Sequence, residues 1–208
     1  MEENLFPLFL KLRGRRCVVV GAGKVSEGKI KGLIAAKARV SVVAPDATPQ
    51  IKKWHKSGAI RWAKREFGPR DIDGAFLVVA ATSSNEVHRA IYREARKRCV
   101  LCNIVDVPPL CDFYYPAVVR RGALQIAIST GGASPALAKS LRERLECLFD
   151  EDYADWLQHL ARERRKIRGA PTAPAEKIKL LEALVSGEAF EEFRRKRFKK
   201  LPPKASFS

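Results

Sequence analysis

The sequence has no long hydrophobic run, and its longest uncharged apolar stretch covers only residues 75–81. A helix that crosses a bilayer needs about 18 apolar residues, so no membrane span is predicted. A secretory signal is not indicated either, because Glu2 and Glu3 precede the apolar stretch 5–10 and the basic residues follow it. We therefore expect a cytoplasmic protein that does not associate with a membrane.

Cysteine and histidine are scarce, with five cysteines and three histidines in 208 residues. The odd cysteine number argues against a disulfide framework, and thiols are the expected form in the cytoplasm. Cys99 and Cys102 form a Cys-x-x-Cys without a second pair of ligands, and we interpret both as buried thiols. The histidines lie far apart in the sequence, so no metal site is predicted.

Acidic residues are too few to balance the basic ones. The chain has 40 Lys and Arg against 23 Asp and Glu, a formal net charge of +17 that is spread along the whole sequence. Such a charge attracts anionic partners. No zinc-finger, RNP or basic-zipper pattern is present, so no specific binding of nucleic acid is predicted, and a polyanionic small molecule suits the same charge.

Short β-branched runs alternate with helical stretches in the first half of the chain. This alternation predicts an α/β fold, a Rossmann-type doubly wound parallel sheet that binds its ligands at the carboxyl ends of the strands. The helices are expected at residues 25–36 and 85–97, where apolar residues recur at helical spacing. The predicted strands are residues 17–20, 40–43, 60–63, 76–80 and 100–103.

The pattern changes after Asp106, where Pro108 and Pro109 interrupt regular structure. Short strands are predicted next, and then a helix at 135–149 that Ser134 caps and Pro135 begins. Further helices are expected at 151–166, 175–185 and 188–198, followed by frayed basic residues. The predicted strands are residues 113–115, 117–121 and 124–129.

A glycine-rich turn connects the first predicted strand to the first helix. Gly21 permits a tight turn, and Gly23 lets the backbone approach a pyrophosphate at the positive end of the helix. Ser26 stands where a third Gly or Ala is usual, and it is small enough for close packing of helix and strand. A glycine turn without a ligand is the alternative, but the strand-turn-helix context favours a dinucleotide site.

Carboxylates follow the second and fifth predicted strands. Asp46 comes after Pro45 and either contacts the adenosine ribose or caps the following turn. No arginine follows it directly, so NAD is preferred to NADP. Asp106 lies where an open sheet places reacting groups and is a candidate proton acceptor, with a capping aspartate as the alternative.

The segment 129–134 is rich in glycine and hydroxyl residues and precedes a helix. Its amides are candidates for binding the carboxylates of a substrate. An ordinary capped loop explains the same residues, and the sequence leaves both interpretations open.

Several of these segments together resemble one family, the precorrin-2 dehydrogenases of sirohaem biosynthesis. That family includes bifunctional dehydrogenase/ferrochelatases and the fused sirohaem synthases. The resemblance covers residues 4–165 in unbroken order, which is more specific than any single motif. The matching segments are residues 5–9 (LFPLF), 18–25 (VVVGAGKV), 80–82 (AAT), 102–106 (CNIVD), 111–117 (CDFYYPA) and 129–135 (STGGASP).

The resemblance implies an NAD-binding Rossmann domain at 1–112, a dimerisation segment at 113–149 and a C-terminal helical domain at 150–208, in a homodimer. It also implies that Asp106 is the catalytic residue. The implied cofactor-binding residues are Gly21, Gly23, Lys24, Val25, Pro45, Asp46 and Thr82, and the implied substrate-binding residues are Asn103, Ser129, Thr130 and Gly131.

The implied reaction is NAD-dependent oxidation of precorrin-2, a polycarboxylate, to sirohydrochlorin. The family divides on whether Fe²⁺ insertion to sirohaem follows, and the sequence leaves that activity open. No methyltransferase domain is recognised in the sequence, so synthesis of precorrin-2 is not expected. An alternative from another class is a regulatory module that senses NAD without chemistry; Asp106 near the predicted crevice speaks against it.

Overall fold

The computed structural model describes residues 5–198, which fall into two compact units. One unit comprises residues 6–115, and the other comprises residues from 116 onward together with Leu5. Within the described range, no helix is both long and apolar enough to cross a membrane. The finer division at residues 112 and 149 stays a prediction.

The first unit is built on a parallel five-stranded sheet. The strand order is β3-β2-β1-β4-β5, with β1 at the centre. All four pairings are parallel, so the carboxyl ends of the strands share one edge. This order confirms the predicted Rossmann-type sheet. The strands are β1 (Arg16–Val20), β2 (Arg39–Val43), β3 (Arg61–Ala63), β4 (Leu77–Ala80) and β5 (Leu101–Ile104).

Helices cover both faces of this sheet because successive side chains of a strand point to opposite faces. On one face, Val19 of β1 belongs to the same core as Ile30 of α1 (Lys24–Ala35) and Ile51 of α2 (Pro49–Lys56). On the other face, Val18 shares a core with Ile91 of α3 (Asn85–Lys97). These five side chains are fully buried, as expected of a parallel sheet covered on both sides.

The helix α2 has no counterpart among the predicted elements. It is short and polar, and Ile51 is its only buried residue. Its start is nevertheless encoded locally, since Thr48 accepts a hydrogen bond from the amide of Ile51 at 3.4 Å and Pro49 occupies the first turn. The sequence therefore signals this helix by its capping residue and not by apolar residues at helical spacing.

The predicted strand at 113–115 is wrong. The chain there is irregular, and the Phe113 carbonyl accepts a hydrogen bond from the Asn103 side chain at 2.8 Å instead of from a neighbouring strand. Phe113 packs against the core around β1, while the Tyr115 ring lies under the ammonium of Lys29. The two rings also contact each other, with 5.6 Å between their centroids, so aromatic packing and not strand pairing holds this segment.

The interpretation of Cys99 as a buried thiol is also wrong. Cys99 is exposed and has a φ of +52° in the turn between α3 and β5, whereas Cys102 is buried within β5. Burial raises the pKa of the Cys102 thiol to about 12. The two cysteines therefore occupy different environments despite their close spacing.

The second unit begins with an antiparallel pair, β6 (Ala117–Arg121) and β7 (Leu124–Ile128). Gly122 makes the tight connection with a φ of +56°. The next helix, α4 (Pro135–Leu148), begins as predicted, because the Ser134 hydroxyl accepts a hydrogen bond from the Leu137 amide at 3.2 Å.

Three helices follow: α5 (Asp152–Gly169), α6 (Pro174–Ala183) and α7 (Gly187–Phe198). Trp156 of α5 is buried, with the ring of Phe193 from α7 5.0 Å away between centroids. Arg194 of α7 also binds Asp152 of α5 at 3.1 Å. The predicted frayed basic end falls mainly beyond residue 198, outside the described residues.

Asp71 organises the connection between β3 and β4. Its carboxylate accepts two hydrogen bonds from Arg65, at 2.5 and 2.7 Å, and one from the Gly68 amide at 2.8 Å. The Arg65 guanidinium and, secondarily, the Gly68 amide hold the pKa of Asp71 below its usual range, against the opposing effect of burial. The ionised carboxylate therefore stabilises the folded state.

We expect Asp71→Asn to lower the free energy of unfolding at pH 7 by about 1 kcal/mol. The native pKa of Asp71 is lowered, so its contribution is present above the unfolded value of about 4 and lost as the pH falls through the native pKa. The difference between the two proteins should shrink below about pH 4. Urea unfolding across this pH range measures it, and an unchanged difference would contradict the role of the charge.

Candidate functional site

The turn after β1 brings two backbone segments into close contact. Gly21 has a φ of +95°, and a Cβ added there would overlap the carbonyl oxygen of Ala81 and lie 2.8 Å from its carbonyl carbon. The Gly21 amide donates to the carbonyl of Val43 at 2.9 Å. Only glycine satisfies both the backbone angle and the close contact. The turn is therefore held between the ends of β2 and β4.

The start of α1 is open directly after this turn. Gly23 is the N-terminal cap, and a Cβ at this position would meet no atom within 4 Å. Ser26 is fully buried and donates its hydroxyl hydrogen to the Gly21 carbonyl at 2.8 Å. The small residue at position 26 thus permits close packing, as predicted. The backbone amides at the helix start are available to an anion.

Lys24 and Val25 occupy the first turn of α1. The Lys24 side chain is 88% exposed and pairs with Glu27 at 2.9 Å, and Val25 is also exposed. Both residues stand beside the open Gly23 backbone. Their contacts with a cofactor stay predictions.

Asp46 lies beyond the carboxyl end of β2, after Pro45. The Lys52 ammonium, 2.8 Å from its carboxylate, holds the pKa of Asp46 below the usual range. Thr48 rather than Asp46 caps the following helix, so the capping alternative for Asp46 does not apply to α2. The predicted contact of Pro45 and Asp46 with adenosine stays a prediction.

Thr82 follows β4 and lies against the glycine turn. Its methyl carbon would be 3.2 Å from a Cβ at Gly21, and its hydroxyl oxygen is buried without a hydrogen-bond partner among residues 5–198. A buried hydroxyl without a partner is unusual in a folded protein. Together with the open amides at Gly23, this hydroxyl fits a bound dinucleotide, so the residues present suit the predicted cofactor.

Asp106 stands two residues beyond the end of β5. It is exposed and has a φ of +62°, an angle that few residues other than glycine, asparagine and aspartate adopt. The carboxylate therefore lies at the sheet edge where open α/β sheets bind ligands. This placement agrees with the predicted proton acceptor, whose role stays a prediction.

Lys29 is a residue that the sequence reasoning did not select. Its ammonium lies 3.7 Å from the centre of the Tyr115 ring, and the side chain is half-buried. Burial lowers the pKa of Lys29, and the negative charge of Asp106 partly offsets that effect. In the sequence Lys29 is one of three lysines on α1, so no local pattern distinguishes it.

Asn103 is buried at the end of β5, and its side-chain amide is engaged within the fold. The nitrogen donates to the Phe113 carbonyl at 2.8 Å and lies 3.5 Å from the Cys111 sulfur. These contacts fix the segment that follows Asp106 against the end of β5. A role for Asn103 in substrate binding stays a prediction.

The glycine-rich turn of the second unit is held by its own side chains. The Ser129 hydroxyl accepts from the Gly131 amide at 3.2 Å, and the Thr130 hydroxyl contacts both the amide and the carbonyl of Ser134. Several amides of this turn are therefore already paired. The predicted substrate contacts of Ser129, Thr130 and Gly131 remain to be tested.

No group of three or more His, Cys, Asp or Glu side chains is placed to hold a metal ion within the part of the chain that the structure describes. His88, for example, contacts the Thr82 carbonyl at 2.9 Å and not another candidate ligand. The candidate site is consequently built from backbone amides, a hydroxyl and a carboxylate.

A parallel sheet with a glycine turn at the N-terminus of α1 defines a Rossmann-type dinucleotide-binding domain. The comparisons with known proteins agree with this class. A family model described as putative NAD(P)-binding matches residues 8–117, and a second, described as the central part of a sirohaem biosynthesis protein, matches residues 121–147.

Individual relatives extend the match beyond the first unit. The siroheme synthase of Methylobacillus flagellatus is 45% identical over 147 residues, which are 71% of this chain and 32% of that protein. The siroheme synthase of Nitrosococcus oceani is 40% identical over 162 residues, or 78% of this chain and 35% of that protein. The chain thus spans about a third of the length of these relatives.

A solved structure described as SirC, precorrin-2 dehydrogenase, superposes with a TM-score of 0.79 at 30% sequence identity. The match covers 94% of this chain and 100% of that protein. The chain therefore belongs to the NAD(P)-binding family that includes SirC and the siroheme synthases, which confirms the family predicted from its motifs.

Gly23→Ala should weaken NAD binding by tenfold or more without unfolding the protein. The new methyl group meets no protein atom, yet it projects where the backbone would approach a pyrophosphate. The matched control is Gly28→Ala, because Gly28 lies in the helix that Gly23 caps and also has open space around it. Calorimetry with NAD, together with thermal melts, measures both effects, and equal affinities in the two variants would contradict the site.

Proposed function

We propose that the protein oxidises precorrin-2 to sirohydrochlorin with NAD as the electron acceptor. The observation that carries this proposal is the match to SirC, which extends over the whole of that precorrin-2 dehydrogenase. The described site is compatible with it, since the cofactor-binding turn and Asp106 both lie at the carboxyl edge of one sheet. NAD is favoured over NADP because no arginine directly follows Asp46.

The chain binds and orients the two reactants in this proposal. The amides at the start of α1 would hold the cofactor pyrophosphate, and the Thr82 hydroxyl would supply a further polar contact. The net charge of +17 attracts the polycarboxylate substrate. Orientation matters because hydride transfer needs the two reacting carbons in close, aligned contact.

Asp106 is the proposed proton acceptor. Bound NAD would supply the acceptor for a hydride from a carbon of the macrocycle. The oxidation removes two hydrogens from the substrate, so the second leaves as a proton from the macrocycle. The exposed Asp106 carboxylate can take that proton and pass it to water.

Insertion of Fe²⁺ into sirohydrochlorin is a second proposed activity, supported by relatives named siroheme synthase. In this step Fe²⁺ is a substrate, and the two pyrrole N–H protons are released as iron binds. Asp106 is the candidate to receive one of these protons. We also propose a cytoplasmic homodimer, as the family resemblance implies.

Asp106→Asn should lower the rate of NADH formation from precorrin-2 by about 100-fold or more, because the amide cannot act as a base. Asparagine keeps the size of the side chain and tolerates the positive φ. NAD binding should stay within about twofold of the original, a change of about 0.4 kcal/mol in binding free energy, because Asp106 is not among the predicted cofactor-binding residues. Absorbance of NADH and of sirohydrochlorin follows the reaction.

Asp106→Ala provides the control for backbone strain, because alanine tolerates a positive φ less well than asparagine. Equal losses of turnover in the two variants would assign the effect to the missing carboxylate. Full activity in Asp106→Asn would remove Asp106 from the mechanism.

The ferrochelatase proposal predicts that the protein accelerates sirohaem formation from sirohydrochlorin and Fe²⁺ under anaerobic conditions. Asp106→Asn should reduce that acceleration if the carboxylate receives a pyrrole proton. A rate equal to that of the mixture without protein would contradict the activity while leaving the dehydrogenase proposal intact.

A further inference from the structure

His88 joins α3 to the loop that follows β4. Its Nε2 lies 2.9 Å from the carbonyl oxygen of Thr82, six residues earlier in the chain. A carbonyl oxygen only accepts hydrogen bonds, so Nε2 carries the hydrogen in this contact. The first turn of α3 therefore holds the backbone of Thr82 in place.

The rest of the His88 ring has no polar partner. The residue is 6% exposed, and Nδ1 is buried without a hydrogen bond in the described part of the chain. A buried polar atom without a partner destabilises the folded state. An apolar residue would avoid that cost, but it would also remove the hydrogen bond to the Thr82 carbonyl.

Thr82 is the link between His88 and the glycine turn. Its side chain lies against Gly21, and its hydroxyl oxygen is itself buried and without a partner within residues 5–198. A shift of the Thr82 backbone would move this hydroxyl and also alter the surface against which the turn packs. The single hydrogen bond from His88 restrains both.

We infer that His88 is a positioning residue of the dinucleotide site, which holds Thr82 so that its hydroxyl stays beside the glycine turn for the cofactor. His88 acts through Thr82 and does not itself contact the cofactor. The inference depends on the NAD(P)-binding site and not on the identity of the substrate.

The test compares NAD binding by the full chain and three variants. His88→Leu removes both the unpartnered nitrogen and the donor to the Thr82 carbonyl, and it should weaken NAD binding about tenfold. His88→Gln places an amide donor near the position of Nε2 and should restore affinity to within about threefold. Isothermal titration calorimetry gives the affinities.

Ile91→Val is the matched control. Ile91 is fully buried in the same helix, so its shortening perturbs the packing of α3 without affecting the bond to Thr82. It should lower thermal stability and leave the affinity for NAD unchanged. In a turnover assay, His88→Leu should raise the KM for NAD and leave kcat at saturating NAD near the original value.

Any one of four outcomes would overturn the inference. If His88→Leu binds NAD as tightly as the unmodified protein, the hydrogen bond to Thr82 does not contribute to binding. If His88→Leu and His88→Gln lose the same affinity for NAD, a hydrogen-bond donor at this position is not sufficient to maintain binding. A loss of affinity in Ile91→Val as large as that in His88→Leu would assign the effect to helix packing. Absence of NAD and NADP binding in the original protein would overturn the cofactor proposal as well.

Discussion

The close contact between Gly21 and the Ala81 carbonyl is the constraint on which the candidate site depends. It forces a residue without a side chain at the end of β1, and it brings the start of α1 beside Thr82. Ser26 reinforces the contact through its bond to the Gly21 carbonyl. The open amides at Gly23 follow from this arrangement, because the turn leads the chain into α1 with nothing packed over its first residue.

The net charge of the protein and its buried polar side chains contribute to the candidate site in different ways. Within the sheet unit the core is almost wholly aliphatic, and polar groups such as Asn103 and His88 are buried next to the loops that leave the carboxyl edge. These groups hold loops that have no regular backbone pairing of their own. The net positive charge suits anionic reactants, whereas loop hydrogen bonds decide where the reacting groups stand.

The sequence predicted elements with strong periodicity and missed those without it. All five strands of the sheet and α3 were recognised, since buried runs and amphipathic helices carry a clear pattern. The polar helix α2 was missed because its only sequence signal is a capping residue. The irregular segment at Phe113 was predicted as a strand, because aromatic contacts in space produce no regular spacing of apolar residues in the sequence. Cys99 was misjudged since an apolar neighbourhood does not reveal a left-handed turn.

The sequence by itself determined the five strands of the sheet, the glycine turn and the family, because those depend on local spacing and on motifs that occur in a set order. Only the tertiary structure decided that Lys29 lies on Tyr115 and that His88 holds Thr82. Such contacts form when loops and helices pack around a completed sheet. Their partners depend on side-chain direction in space, which no spacing along the chain records.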